Sequence, residues 1–233
     1  YKALYNNTEG EQNTASGYAA LFKNTKGNYN TASGHQALYA NTTGKNNTAS
    51  GYRALFNNNT GEFNTASGYQ ALFTNTTGKY NTASGILALF TNATGEQNTA
   101  LGHRALFTNT TGKYNTASGA FALTFNTNGE YNTASGFAAL YANTTGKENT
   151  ASGMVALYSN TTGSYNTALG YYAGYSGNYS NSTAIGYQAP RTASNQVRIG
   201  NSSVTSIGGY RAWTNVSDAR FKKNIEEKVI GLD

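Results

Sequence analysis

The chain has 233 residues and a formal charge of +6, with 11% charged residues, one proline, no cysteine, 27 glycines and 19 tyrosines. Without cysteine there is no disulfide framework and no thiolate metal site, and apolar runs of a few residues fall far short of the ~20 needed to cross a bilayer. The charge splits evenly, +3 over residues 1–170 and +3 over 171–233, without the clustered Lys/Arg that phosphate neutralisation requires, which argues against nucleic acid.

Residues 1–170 repeat with a period of seventeen. "NTASGYQALFTNTTGKY" at 64–80 is followed by "NTASGILALFTNATGEQ" and "NTALGHRALFTNTTGKY". One series of glycines runs from 17 to 170 and a second from 10 to 163, both without insertion. Around each first-series glycine stand Asn four places before, Thr three before, Ala two before and Ala three after, in all ten copies. Leu follows that Ala in nine copies, and an aromatic residue follows the Leu. The departure is "ALTF", where Thr124 displaces the ring to Phe125.

Short segments rich in Thr and aromatics, punctuated by Gly and Asn, read as strands and turns. A constant period of this length means stacked coils, so the predicted fold is an all-β parallel β-roll or β-helix. Coils at the parallel-strand spacing of ~4.8 Å make ten repeats a rod of roughly 48 Å. Identical residues then form ladders, and the asparagines pair their amides along the stack.

In a strand, neighbouring side chains face opposite sides, so the Leu column (Leu55, Leu72, Leu89, Leu106) and the aromatic column (Phe56, Phe73, Phe90, Phe107) do not share one interior. One lines the coil's own core. The other is a continuous exposed ladder, larger than soluble monomers usually tolerate, which implies an oligomer; the alternative is that the rings coat a solvent-facing strand. After the second glycine, Lys45, Glu62, Lys79, Glu96, Lys113, Glu130 and Lys147 alternate in sign. Such alternation favours one register, because a slip by one coil places Lys beside Lys; a duplicated 34-residue unit accounts for the same pattern.

Three segments follow in chain order: residues 1–170 as the repeat shaft, 171–217 as an irregular β continuation, and 218–233 as the beginning of a further, helix-compatible domain. "NSTAIGYQA" at 181–189 matches "NTALGYYAG" with one inserted residue, which predicts another coil. A start within a repeat and a stop at Asp233 read as part of a longer protein.

"NSTAIG" and the repeated "NTA-x-GY-x-A" resemble the head repeats of trimeric autotransporter adhesins, which form parallel β-rolls in trimers with usually shorter coils. "WTNVSDARFKKNI" at 213–225 is similar to the junction between a phage tail-fibre or tailspike shaft and its C-terminal intramolecular chaperone of the endosialidase type. That resemblance implies a chaperone that assembles the trimer and then cuts itself off between Ser217 and Asp218, with Lys222 as partner. Ser is a poor nucleophile until a base takes its proton, and a desolvated Lys supplies one. Ser217 as a helix N-cap is the plainer reading of the same residues.

Other candidates are weaker. His35 and His103 lie four coils apart, roughly 19 Å, too far to share a metal within one chain. Asn41, Asn75, Asn109 and Asn143 fit the glycosylation sequon, which the repeat itself explains. Five places before the first-series glycine stand Tyr29, Phe63, Tyr80, Tyr114, Tyr131 and Tyr165; of these Tyr80, Tyr114 and Tyr131 are candidates for stacking on sugars, although rings that pack turns are commoner. The sequence thus predicts an extracellular homotrimeric fibre of a phage tail or related injection device, projecting a receptor-binding region. Its expected partners are itself, baseplate or other fibre proteins, and a host glycan or protein receptor, with no nucleic acid and no membrane insertion. No cofactor and no metal are expected, and the only enzymatic step is single-turnover self-cleavage. A bacterial surface adhesin of the same architecture is the alternative, and an ice-binding repeat protein, suggested by the Thr columns, a third.

Overall fold

The computed structural model describes residues 1–207. Tyr1–Ser203 forms one compact unit; of the second, Val204–Asp233, only residues 204–207 are described. Each coil supplies one short strand: β1 (Thr14–Ser16), β2 (Thr31–Ser33), β3 (Thr48–Ser50), β4 (Thr65–Ser67), β5 (Thr82–Ser84), β6 (Thr99–Leu101), β7 (Thr116–Ser118), β8 (Thr133–Ser135), β9 (Thr150–Ser152), β10 (Thr167–Leu169), β11 (Ser182–Ile185) and β12 (Gln196–Ile199). All twelve form a single parallel sheet in sequence order. Thr14 lies beside Thr31 and Ala15 beside Ala32, and the same seventeen-residue register holds through β10. The step shortens to sixteen at Thr167 and Thr183 and to fourteen at Thr183 and Val197. The fold is therefore the all-β stack of seventeen-residue coils that the period predicts. The extra residue in "NSTAIG" accompanies a coil that is one residue shorter.

Within Thr-Ala-Ser the pleat sends Ala inward and Thr and Ser outward, so Ala66 is buried while Thr65 and Ser67 are exposed. The strand stops after three residues because glycine follows. Gly68 has φ +133°, and a Cβ there would stand 2.6 Å from the carbonyl oxygen of Gly85 in the next coil. Only a residue without a Cβ allows two backbones to approach so closely.

The Ala-Leu-aromatic segment is not the strand that its composition suggests. Leu72 has φ +49° and Gln70 φ +52°, and every copy of the Leu column is likewise left-handed. This backbone turns Leu into the coil and leaves the next ring outside, so the two columns separate as expected but by a different cause. A non-glycine residue held there costs about 1–3 kcal/mol, comparable to the 1.5–3 kcal/mol gained by burying a Leu side chain. The coil-to-coil hydrogen bonds tip the balance: Leu55 N–H donates to Ala71 O at 3.0 Å and Leu72 N–H to Ala88 O at 3.0 Å.

Per coil the interior holds two Ala, one Leu and two Asn, all fully buried, as in Ala66, Ala71, Leu72, Asn75 and Asn81. The asparagines build two ladders. In one, Asn98 N–H and Nδ2 donate to Asn81 Oδ1 at 3.0 and 3.2 Å, and Nδ2 also donates to Gly112 O at 2.8 Å. In the other, Asn92 Nδ2 donates to Asn75 Oδ1 at 2.7 Å and to Gly95 O at 2.9 Å. No buried side-chain N or O among the described residues lacks a partner.

The ladders end at the last coils. Gly174 occupies the Leu position, and the Arg191 side chain fills the space, donating from Nη2 to Gly174 O at 3.1 Å and Gly177 O at 2.9 Å. Ser182 stands where Asn would, donates to Asn166 Oδ1 at 2.6 Å and accepts from Arg191 Nη1 at 3.2 Å. Burial pushes the guanidinium down to about 10, still charged at neutral pH.

Candidate functional site

Three outward faces of the stack carry chemistry. The first is aromatic. From Tyr5 to Phe107 the ring after each Leu stacks on its copy in the next coil, with centroids 5.0–5.3 Å apart. From Phe22 onward these rings are half-buried, and Tyr5 at the end of the ladder is exposed. A second stack, Tyr1–Tyr18–His35–Tyr52–Tyr69, runs beside it. At Thr124 the first ladder breaks, because this smaller side chain is buried and its hydroxyl donates to Phe121 O at 2.8 Å. Phe125 is displaced, as the sequence suggests, and meets Tyr141 edge-on at 5.0 Å. A groove of about 190 Å³ opens there between Phe121, Phe137, Ala138, Tyr141 and Tyr158. Burial in this face raises the Tyr158 hydroxyl pKa, with Tyr141 and Tyr175 adding to it. The Leu column is fully buried in the coil interior, which removes it as a surface between chains.

The second face is the sheet itself. Thr and Ser of β1 to β10 form two parallel ranks of hydroxyls, interrupted where Leu101 and Leu169 replace Ser. Towards β12 the face turns apolar: Leu169, Ile185 and Ile199 fall in one column and Val197, 69% exposed, in the other. Sequence reading missed this gradient; its signal was the substitution of Ser by Leu and Ile at one register position.

The third face carries the charges and the tyrosine column. Three of the four lysines in the column bond the glutamate of the preceding coil: Lys79 to Glu62 at 2.9 Å, Lys113 to Glu96 at 3.1 Å and Lys147 to Glu130 at 2.8 Å. The expected attraction between every pair of neighbours is thus resolved into couples, and Lys45 has no ion pair within 4.0 Å among the described residues. The hydrogen bond to Glu62, then its charge, raises the Lys79 pKa above the usual value, and Glu130 does the same for Lys147. Beside the charges Tyr80 and Tyr131 are more than half exposed and Tyr114 somewhat less. Phe63 stacks on Tyr80 at 5.1 Å and Tyr114 on Tyr131 at 4.7 Å. The three sugar-contact candidates therefore lie in one column but not in one cluster, since Gln97 separates Tyr80 from Tyr114.

His35 is stacked between Tyr18 and Tyr52, and His103 meets Phe121 edge-on. No group of three metal-ligating side chains occurs among the described residues, and no described helix is long and apolar enough to cross a membrane. Asn41, Asn75, Asn109 and Asn143 are fully buried rungs of the second ladder, so the folded coil withholds these sequons from a glycosylating enzyme. Ser217, Asp218 and Lys222, with the short helical start predicted from residue 218, lie outside the described residues. No protein-family model, no curated protein and no solved structure matches the chain.

Proposed function

We propose that this chain is the shaft of a trimeric fibre that projects a receptor-binding region from a phage tail or a related injection device. The observation that carries the reading is the aromatic face: two ring ladders running side by side along a stack whose own core is already closed. Exposed apolar surface on that scale marks an interaction site, and a threefold assembly buries one such face from each chain. An adhesin on a bacterial surface uses the same architecture and is the runner-up. The same proposal includes a C-terminal chaperone that assembles the trimer and releases itself by Ser217 attack on its own peptide bond to Asp218, with Lys222 as base.

Light scattering of residues 1–217, fused to a trimer-nucleating partner if necessary, gives three chains on this reading; a stable, soluble monomer of the same fold overturns it. In the full precursor Ser217→Ala leaves an uncut, folded trimer, whereas cleavage of that variant at the same bond shows that the nucleophile lies elsewhere. One observation favours a second reading: the paired ranks of Thr and Ser hydroxyls on a regular sheet face suit an ordered water lattice. Thermal hysteresis of the purified chain tests ice binding directly, and its absence removes that reading.

A further inference from the structure

Two residues before each strand lies a column with one backbone conformation, φ between +55° and +61° from Tyr29 to Tyr165. Each member's N–H donates to a carbonyl of the coil before, as Tyr131 to Lys113 O, Glu148 to Glu130 O and Tyr165 to Lys147 O, all at 3.0 Å. The column is therefore a regular ladder, and what varies is the rung. From residue 29 it reads Tyr, Asn, Phe, Tyr, Gln, Tyr, Tyr, Glu, Tyr. Rings are omitted at Asn46, Gln97 and Glu148, an interval of fifty-one residues or three coils each time, about 14 Å along the stack.

Each omission leaves a slot. The rings on its two sides stand two coils apart, ~9.6 Å between centroids; at Gln97 these are Tyr80 and Tyr114, each stacked on its outer neighbour, Phe63 and Tyr131, so their free faces are turned toward each other. At the floor sits a planar polar side chain. The slot at Glu148 is an open cleft of about 520 Å³ lined by Tyr131, Glu148 and Thr150, and Tyr165 is the ring of the next coil, 59% exposed. Glu148 has no ion pair among the described residues, since the neighbouring Lys147 is held by Glu130. At Gln97 the amide Nε2 leans onto the Tyr114 hydroxyl at 3.4 Å.

The guest that fits has two apolar faces and polar edges. A ring seated midway stands ~4.8 Å from each neighbour, looser than the ~3.5–4.0 Å contact optimum of a flat guest and suited to the thicker, puckered ring of a pyranose. Its hydroxyls meet Glu148 and Thr150, whereas an apolar aromatic guest leaves Glu148 unpaired in the slot. A pyranose held between these ring faces has its own plane across the stack, so its glycosidic bonds lead out of the slot sideways. We propose that the three omitted rungs at Asn46, Gln97 and Glu148 are pyranose-binding slots, each of which takes one sugar of a neutral polysaccharide that crosses the stack. This does not rest on the fibre reading. The column lies across the Thr-Ala-Ser strand from the aromatic face, so the proposed trimer leaves it open.

The test is calorimetric titration of the full chain with neutral tri- and hexasaccharides of β-1,4-linked glucose, N-acetylglucosamine and mannose and of α-1,4-linked glucose. A chain that crosses the stack meets one slot at a time, so the hexasaccharide binds about as tightly as the matching trisaccharide, and a gain of more than about tenfold, the mark of a second intramolecular contact, overturns the crosswise seat. Tyr131→Ala weakens binding up to about tenfold, the scale of one aromatic contact. Glu148→Tyr restores the missing rung, so it abolishes that slot while keeping the thermal transition, which separates loss of the site from loss of the fold. No binding across the panel, or binding indifferent to Glu148→Tyr together with Gln97→Tyr and Asn46→Tyr, overturns the proposal, as does a preference for anionic polymers that these variants leave unchanged.

Discussion

A side chain that recurs in every coil has to satisfy its own copy above and below, so along the axis it must donate and accept at once. Asparagine does this with one amide. Aspartate accepts only, and a column of it sets like charges ~4.8 Å apart. Asn98 shows how much is at stake, since its amide donates to Asn81 and Gly112 and its oxygen accepts the N–H and Nδ2 of Asn115. Asn98→Ala leaves several of these buried groups unpaired, at about 1–3 kcal/mol each, so urea denaturation is expected to show a loss of at least about 3 kcal/mol. Asn98→Asp is expected to be worse at pH 7 and to recover as pH falls. Burial raises that carboxyl's folded pKa above its unfolded value, so the folded state binds the extra proton and gains stability on acidification. A variant as stable as the parent at pH 7 sinks this account. The first Asn column was legible because an Asn precedes each strand from β1 to β10. The second was not, because "NTT" reads locally as a turn or a sequon, and only the closed coil shows that its Asn points inward. Arg191 gave no signal either: its place in the core exists because Gly174, seventeen residues earlier, omits a Leu.

The strand that sequence reasoning placed on the Ala-Leu-aromatic run belongs to Thr-Ala-Ser instead. Alternation predicts opposite faces for Leu and its neighbour whether the backbone is extended or left-handed, so the facing was correct while the element was not. No local propensity announces three left-handed residues per coil, for the bonds that hold them run to carbonyls of other coils. The charge column belongs to the same scale. Because Lys bonds the preceding Glu, Glu62, Glu96 and Glu130 each anchor one couple. Changing all three to Lys is expected to lower Tm at low salt, and the deficit to shrink as ionic strength rises and screens the column. The contribution of the Lys79 and Lys147 couples is also pH-dependent in a defined direction: the folded pKa of both lysines is raised above the usual 10.5, so the stabilisation is full below that value and lost as pH climbs through the raised one. Identical melting of the triple variant and the parent at every salt concentration would show that the alternation is inherited and without energetic effect.

In the stack as a whole each coil bonds only its two neighbours, so stability is a sum of coil terms and coil-to-coil interfaces, and three periods are superposed on it. The backbone repeats every seventeen residues, the charges every thirty-four and, from Tyr29 to Tyr165, the omitted rings every fifty-one. These periods separate by deletion. Removing residues 82–98 joins Asn81 to Thr99, preserves the Asn-Thr junction of every coil, and shortens the stack by ~4.8 Å; the fold and the cooperative thermal transition are expected to survive. The same deletion removes Glu96 and brings Lys79 beside Lys113, so this variant is expected to melt lower at low salt and to recover with added salt. Removing residues 82–115 deletes two coils, places Lys79 next to Glu130, and is expected to melt without that salt sensitivity although it is shorter. A deletion of sixteen or eighteen residues at the same junction shifts every later residue by one place, turns Ala outward and Thr inward, and strands the buried amides of both ladders. Circular dichroism melts of the four variants across a salt series decide the matter. If the sixteen-residue deletion folds as well as the seventeen-residue one, the coil length is set by something other than the register of the two Asn ladders.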